Sequence, residues 1–119
     1  MSQFAFLEWE WPEIAQAAKR AEGLARSDAR AACFYTRRTI ELAVIWLYRN
    51  DPALHLPYQD HLSALIHEST FRDLVGPVVL TKLKLLKDLG NLAVHTTKPV
   101  GKRDAIGAVR ELFHVSYWL

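Results

Sequence analysis

Cysteine is almost missing from this chain: Cys33 is the only one in 119 residues. A single thiol excludes an intrachain disulfide framework and points to a reducing compartment. In its apolar helical context Cys33 reads as a small buried hydrophobe. Glycine and proline occur five times each, which excludes collagen-like and linker-like architectures. Long apolar runs are absent too. The best, Leu42 to Leu47, falls far short of the ~18 residues of a membrane span. The opening Met-Ser-Gln-Phe-Ala-Phe has no basic segment or apolar core of a secretory signal. A cytoplasmic location with no membrane partner is therefore expected. The formal net charge of +2 is too small to argue for nucleic-acid binding by itself. No strand-like alternation, internal repeat or heptad run persists.

What is present suits one helical domain over residues 1–119. Half of the residues are hydrophobic and 24% charged, the balance of a soluble globular domain. Phe4, Phe6, Trp9 and Trp11 form a lead-in expected to pack onto the bundle. A first helix begins near Pro12, since proline suits the first helical position. Ser27 or Asp28 caps a second helix that runs to about Arg49 and stops at Asn50-Asp51-Pro52. This helix is apolar on most sides, which places it centrally or in an oligomer interface. Residues 50–60 form a loop, and Asp60 caps a short helix from His61 to about His67. Thr70-Phe71-Arg72-Asp73 fits a capping box and opens a short turn ending at Gly76. Pro77 starts a long helix to about His95. A loop over 96–101 leads to a last helix from Arg103 or Asp104. The fold class is all-α: four main helices with one or two short ones in the central connection. The chain stops on apolar Tyr117-Trp118-Leu119 in mid-helix, so a longer parent chain is expected.

The long helix ends in Leu89-Gly90-Asn91-Leu92-Ala93-Val94-His95. At about 100° per residue, Asp88, Asn91 and His95 share a flank. A mid-helix glycine costs ~1 kcal/mol against alanine, so Gly90 marks a close helix approach or a bend. Buried polar groups need partners. Asn91 and His95 are therefore expected to join Arg37, Arg38 and Glu41 of the second helix in one hydrogen-bonded cluster. Known catalytic patterns are missing. Gly101-Lys102 is followed by Arg103 rather than the Ser or Thr of a phosphate-binding loop. No glutamate has lysine two residues later, as the Asp…Glu-x-Lys nucleases require. His55, His61 and His67 stand six apart, which does not align zinc ligands on one helix face, so no metal site is expected. Two basic groups remain. Lys82, Lys84 and Lys87 lie on the long helix, and Asp73, Asp88 and Asp104 balance the two groups if they form a solvated face. Lys98, Lys102 and Arg103 follow that helix and offer phosphate contacts to DNA or RNA.

The segment 89–95 resembles a motif of a bacterial helical domain of unknown function. That domain is commonly fused to the N-terminus of the R (motor and nuclease) subunit of type I restriction enzymes. Cys33 to Val44, Leu56-Pro57-Tyr58, Leu62 to Glu68 and Glu111 to His114 are similar to further family segments, in the same order. The resemblance implies a HEPN-like up-and-down bundle. Active HEPN ribonucleases carry an arginine followed, after four to six residues, by a histidine. With His95 as that histidine, the matching positions hold Asp88, Leu89 and Gly90, and Lys87 is one residue too far. The expectation is a non-catalytic accessory domain with no cofactor of its own. By resemblance its parent would use ATP and magnesium, and its partners would be other restriction–modification subunits, with DNA contact and homo-oligomerisation open. The alternative is a HEPN-type ribonuclease or toxin using His95 as acid or base.

Overall fold

The structure is a computed structural model and describes residues 2–119; Met1 lies outside the described residues. It is all-α, with no strand among the described residues. A single 3-10 turn, Ala5–Leu7, precedes α1 (Pro12–Leu24), α2 (Ala29–Asn50), α3 (Leu62–His67), α4 (Ser69–His95) and α5 (Lys102–Trp118). α2 is the central element and packs against α1, α4 and α5. Its buried face holds Ala32, Cys33, Thr36, Thr39, Ile40 and Val44. The two buried threonines return their hydroxyls to carbonyls one turn back, Thr36 to Ala32 at 3.0 Å and Thr39 to Tyr35 at 2.7 Å, so neither leaves an unpaired group in the core. Burial pushes the Cys33 thiol up, helped by Asp104 and opposed by Arg30.

Helix boundaries follow local chemistry. Pro12 opens α1, and Asp28 caps α2 by accepting the Ala31 N–H at 3.1 Å. α4 is kinked where Gly76 takes φ 80° and ψ 168°. The residue before a proline is pushed out of the helical region, and a positive φ is open to glycine without a Cβ penalty. Ser69–Val75 is thus a short helical piece set at an angle to the longer one that starts at Pro77.

Two expected caps are corrected. α3 is capped by His61, whose Nδ1 accepts the Ala64 N–H at 3.3 Å, and not by Asp60. α4 is capped by Glu68 rather than by a Thr70 box: its Oε2 accepts the N–H groups of Thr70 (2.8 Å) and Phe71 (3.3 Å). A carboxylate takes several donors and suits the positive end of a helix. These bonds, with that from the Thr70 hydroxyl first, hold the Glu68 carboxyl below its ordinary range. α5 starts at Lys102, with the Asp104 carboxylate accepting the Gly101 N–H at 3.4 Å. Of the aromatic lead-in, Phe4 is buried against Phe113, and Trp11 meets Trp46 edge-on at 5.3 Å. Trp9 departs from expectation: it is 97% exposed and packs on nothing.

The α2–α4 crossing is set by Gly90. A Cβ built there would lie 2.3 Å from Arg37 Cβ and 2.8 Å from its Cδ, well inside van der Waals contact. The Arg37 stem therefore lies directly on the α4 backbone. Gly107 is the contrasting case, since a Cβ there would meet nothing within 4 Å. Gly90→Ala should lower stability by about 1 kcal/mol on balance, because overpacking costs ~1–3 kcal/mol against ~1 kcal/mol regained in helix propensity. Gly107→Ala should raise stability by up to ~1 kcal/mol. Thermal melts of the two variants should move in opposite directions, by several degrees each.

Candidate functional site

The α2–α4 crossing carries the most organised polar group of the molecule. Arg37 donates from Nε to Asn91 Oδ1 at 2.8 Å and from a terminal nitrogen to Glu41 at 3.1 Å. Arg38 reaches the other Glu41 oxygen at 2.6 Å. Arg37 and Glu41 are about three-quarters buried, while half of Arg38 is exposed. The close approach at Gly90 makes this geometry available: with no Cβ in the way, the arginine stem lies flat and its fork meets the next residue, Asn91. The cluster thus unites Arg37, Arg38, Glu41 and Asn91.

His95 is not part of it, against expectation. Its side chain is exposed and makes no hydrogen bond among the described residues. Four residues separate it from Asn91, which carries it one turn (~6 Å) past the crossing. The α2 residue that reaches the end of α4 is Arg30, and it goes elsewhere. Its guanidinium donates to the carbonyls of Ala93, Thr96 (2.9 Å) and Lys98. A cation at the C-terminal end satisfies carbonyls that the helix leaves without partners. No feature of the sequence near Arg30 announces this, because the contact spans more than sixty residues.

A second cluster has no counterpart among the sequence-based expectations. Lys82 on α4 contacts Glu111 at 2.7 Å and His114 Nδ1 at 3.1 Å, both on α5. The Glu111–His114 spacing of three is a visible signal; the lysine between them is a tertiary contact. Lys82, by its hydrogen bond above all, holds the Glu111 carboxyl below its ordinary range against the opposing effect of desolvation. Of the other lysines on α4, Lys87 pairs with Asp88 at 3.4 Å. Arg20 sits 5.5 Å over the Tyr35 ring and donates to its hydroxyl at 3.2 Å.

Lys98, Lys102 and Arg103 are all exposed. Lys102 and Arg103 border a shallow depression with Ile106, Gly107 and Arg110, and Lys98 does not line it. Among the described residues no three His, Cys, Asp or Glu side chains are placed to hold a metal ion. One enclosed pocket is apolar, lined by residues such as Ile40, Val44, Phe71, Leu83 and Leu112. It is a packing gap with no polar group converging on it, not a reaction site.

Chemically, the α2–α4 cluster is a clasp. Arg37 engages its Nε and one terminal nitrogen with two acceptors of its own chain, and both Glu41 oxygens are taken. Arg37→Ala should cost about 1–3 kcal/mol, the range for leaving buried polar groups without a partner. A double-mutant cycle with Asn91→Ala should return a coupling of at least ~0.5 kcal/mol. For the Lys82 pair the sign follows from the depressed Glu111 carboxyl. Its stabilisation is present above the ordinary value of 4.5 and is lost as pH falls below it. In acid titrations Glu111→Gln should lack that component, so its melting temperature should approach wild type as pH drops.

Compared with known families, residues 19–117 match the model of a domain of unknown function, DUF4145. No curated protein matches the chain, and no solved structure does.

Proposed function

The chain belongs to the DUF4145 family of domains of unknown function, and from that premise we propose that it is a non-catalytic accessory module. Its setting, by the resemblance of segment 89–95 and its neighbours, is the R subunit of a type I restriction enzyme. There it would help to dock the motor subunit onto the other restriction–modification subunits. ATP, magnesium and the cleavage motifs belong to the parent chain in this reading, and the HEPN-like bundle supplies a rigid platform.

One observation carries the proposal. Arg37, the arginine that reaches the motif segment, is engaged by Asn91 and Glu41, while His95 stands exposed one turn away. RNA cleavage by an imidazole needs a cation or donor aimed at the phosphate where charge develops. Arg30, the other arginine near this end of α4, is occupied by backbone carbonyls. Asp88, the side chain best aligned with His95, would bring negative charge toward that phosphate.

Incubating the 119-residue chain with labelled single-stranded RNA in metal-free buffer tests this. The expected result is no cleavage above background, unchanged in His95→Ala. Cleavage that disappears in His95→Ala would establish the ribonuclease instead. Co-purification with the methyltransferase and specificity subunits of a type I system is the expected positive result for docking.

A further inference from the structure

Seven of the fifteen lysines and arginines are engaged within the chain. Lys19 pairs with Glu8, Arg37 and Arg38 with Glu41, Lys82 with Glu111, and Lys87 with Asp88. Arg20 is held by Tyr35 and Arg30 caps α4. Four cations treated differently meet at one place. Lys102, Arg103 and Arg110 border one depression beside Ile106, and Arg110 shares the next depression with Arg26 across the α1–α5 seam. All four are exposed, and among the described residues none has an acidic partner within ion-pair distance. The nearby carboxylates are engaged by backbone: Asp104 takes the Gly101 N–H and Glu22 the Gln3 N–H at 3.2 Å.

Gly107 is the second observation. It lies four residues after Arg103 and three before Arg110, on the same face of α5. Nothing in the chain fills the space a Cβ would take. A glycine there costs ~1 kcal/mol of helix propensity and no neighbour within the fold requires it. What it leaves is a low point between two guanidinium groups, open to something outside the chain.

We propose that this face of α5, with Arg26 beside it, binds the phosphate backbone of nucleic acid. Arg103 and Arg110 are seven residues apart, about 10 Å along the helix axis. Along a duplex axis one strand rises about 3.4 Å per phosphate, so phosphates three steps apart match that separation with α5 laid along the axis, and the Gly107 hollow lets the strand come close between them. Arginine forks suit phosphate oxygens. No aromatic side chain lines either depression, so bases are not stacked and recognition is independent of sequence. The proposal deepens the accessory reading by naming a partner and rests on it for the parent complex alone. Its outcome and that of the RNA-cleavage assay are read separately.

Fluorescence anisotropy of the 119-residue chain with a labelled mixed-sequence duplex, between about 50 and 200 mM salt, tests it. Four phosphate contacts predict a log–log salt slope near −3.6, at about −0.9 per contact. Arg103→Ala with Arg110→Ala should weaken binding at least ~10-fold and reduce the slope by about 2. Gly107→Leu, which keeps every charge and strengthens the helix, should weaken binding several-fold while raising the melting temperature. Arg72→Ala with Lys84→Ala, which removes two cations elsewhere, should leave binding unchanged. No binding at low salt would overturn the proposal. So would equal losses from the two double variants, or displacement of the duplex by a polyglutamate of matched charge as readily as by unlabelled DNA.

Discussion

The fold depends on how closely α2 can lie on α4. Gly90 removes the one side chain that would hold them apart, and the Arg37 stem takes its place. The consequences run in two directions. Toward the core, Leu86 and Ala93 on either side of the glycine are buried, so the apolar seam is continuous through the crossing. Toward solvent, the guanidinium is delivered to Asn91 and Glu41 and closes the edge of that seam with hydrogen bonds rather than with more apolar surface. A half-buried charge needs partners, and Nε and one terminal nitrogen of Arg37 find them here.

α4 is tied along its length by three such devices: Glu68 at its start, Lys82 with Glu111 and His114 in its middle, and Arg30 at its end. Glu68 closes the helix's own first turn, while Lys82 joins it to α5 and Arg30 to α2. None borders an enclosed cavity with a free reacting group. Polar chemistry in this molecule is concentrated at helix seams and ends, where it fixes register, and the exposed side of α5 gathers four cations that do no such work.

Much of this is legible in residue order, and the rest is not for a definite reason. Pro12, Asp28, the Asn50-Asp51-Pro52 break and Gly76-Pro77 mark boundaries because their effects are local to the backbone. Gly90 announces the crossing because a mid-helix glycine weakens its helix and is tolerated best where a neighbour needs the space of the missing side chain. Membership of Arg37, Arg38, Glu41 and Asn91 in one cluster follows from helix spacing plus the need of buried polar groups for partners. The same logic fails for His95, because sharing a flank with Asn91 does not mean sharing a level along the partner helix. Glu68 is masked by Thr70 because the capping-box pattern fits there, while the stronger acceptor stands two residues earlier. Arg30 and Lys82 act across the fold, and no local pattern encodes such a contact. Trp9 shows the converse: an aromatic in a crowded lead-in need not be buried.

The six-residue α3 has a further consequence. A helix this short does not persist by itself. It is held because Tyr48 donates its hydroxyl to the Leu65 carbonyl at 2.6 Å, where burial first and the Glu68 charge second push the phenol up to about 12, and because Leu62, Leu65 and Ile66 are buried. The preceding segment is anchored as well, by buried Leu54 and by the His55 N–H on the Thr70 hydroxyl at 3.0 Å. Between these anchors, Leu56 and Tyr58 point into water. That short stretch is where a tag, an epitope or a fluorescent reporter can be spliced into the chain for little more than the entropy of a longer loop.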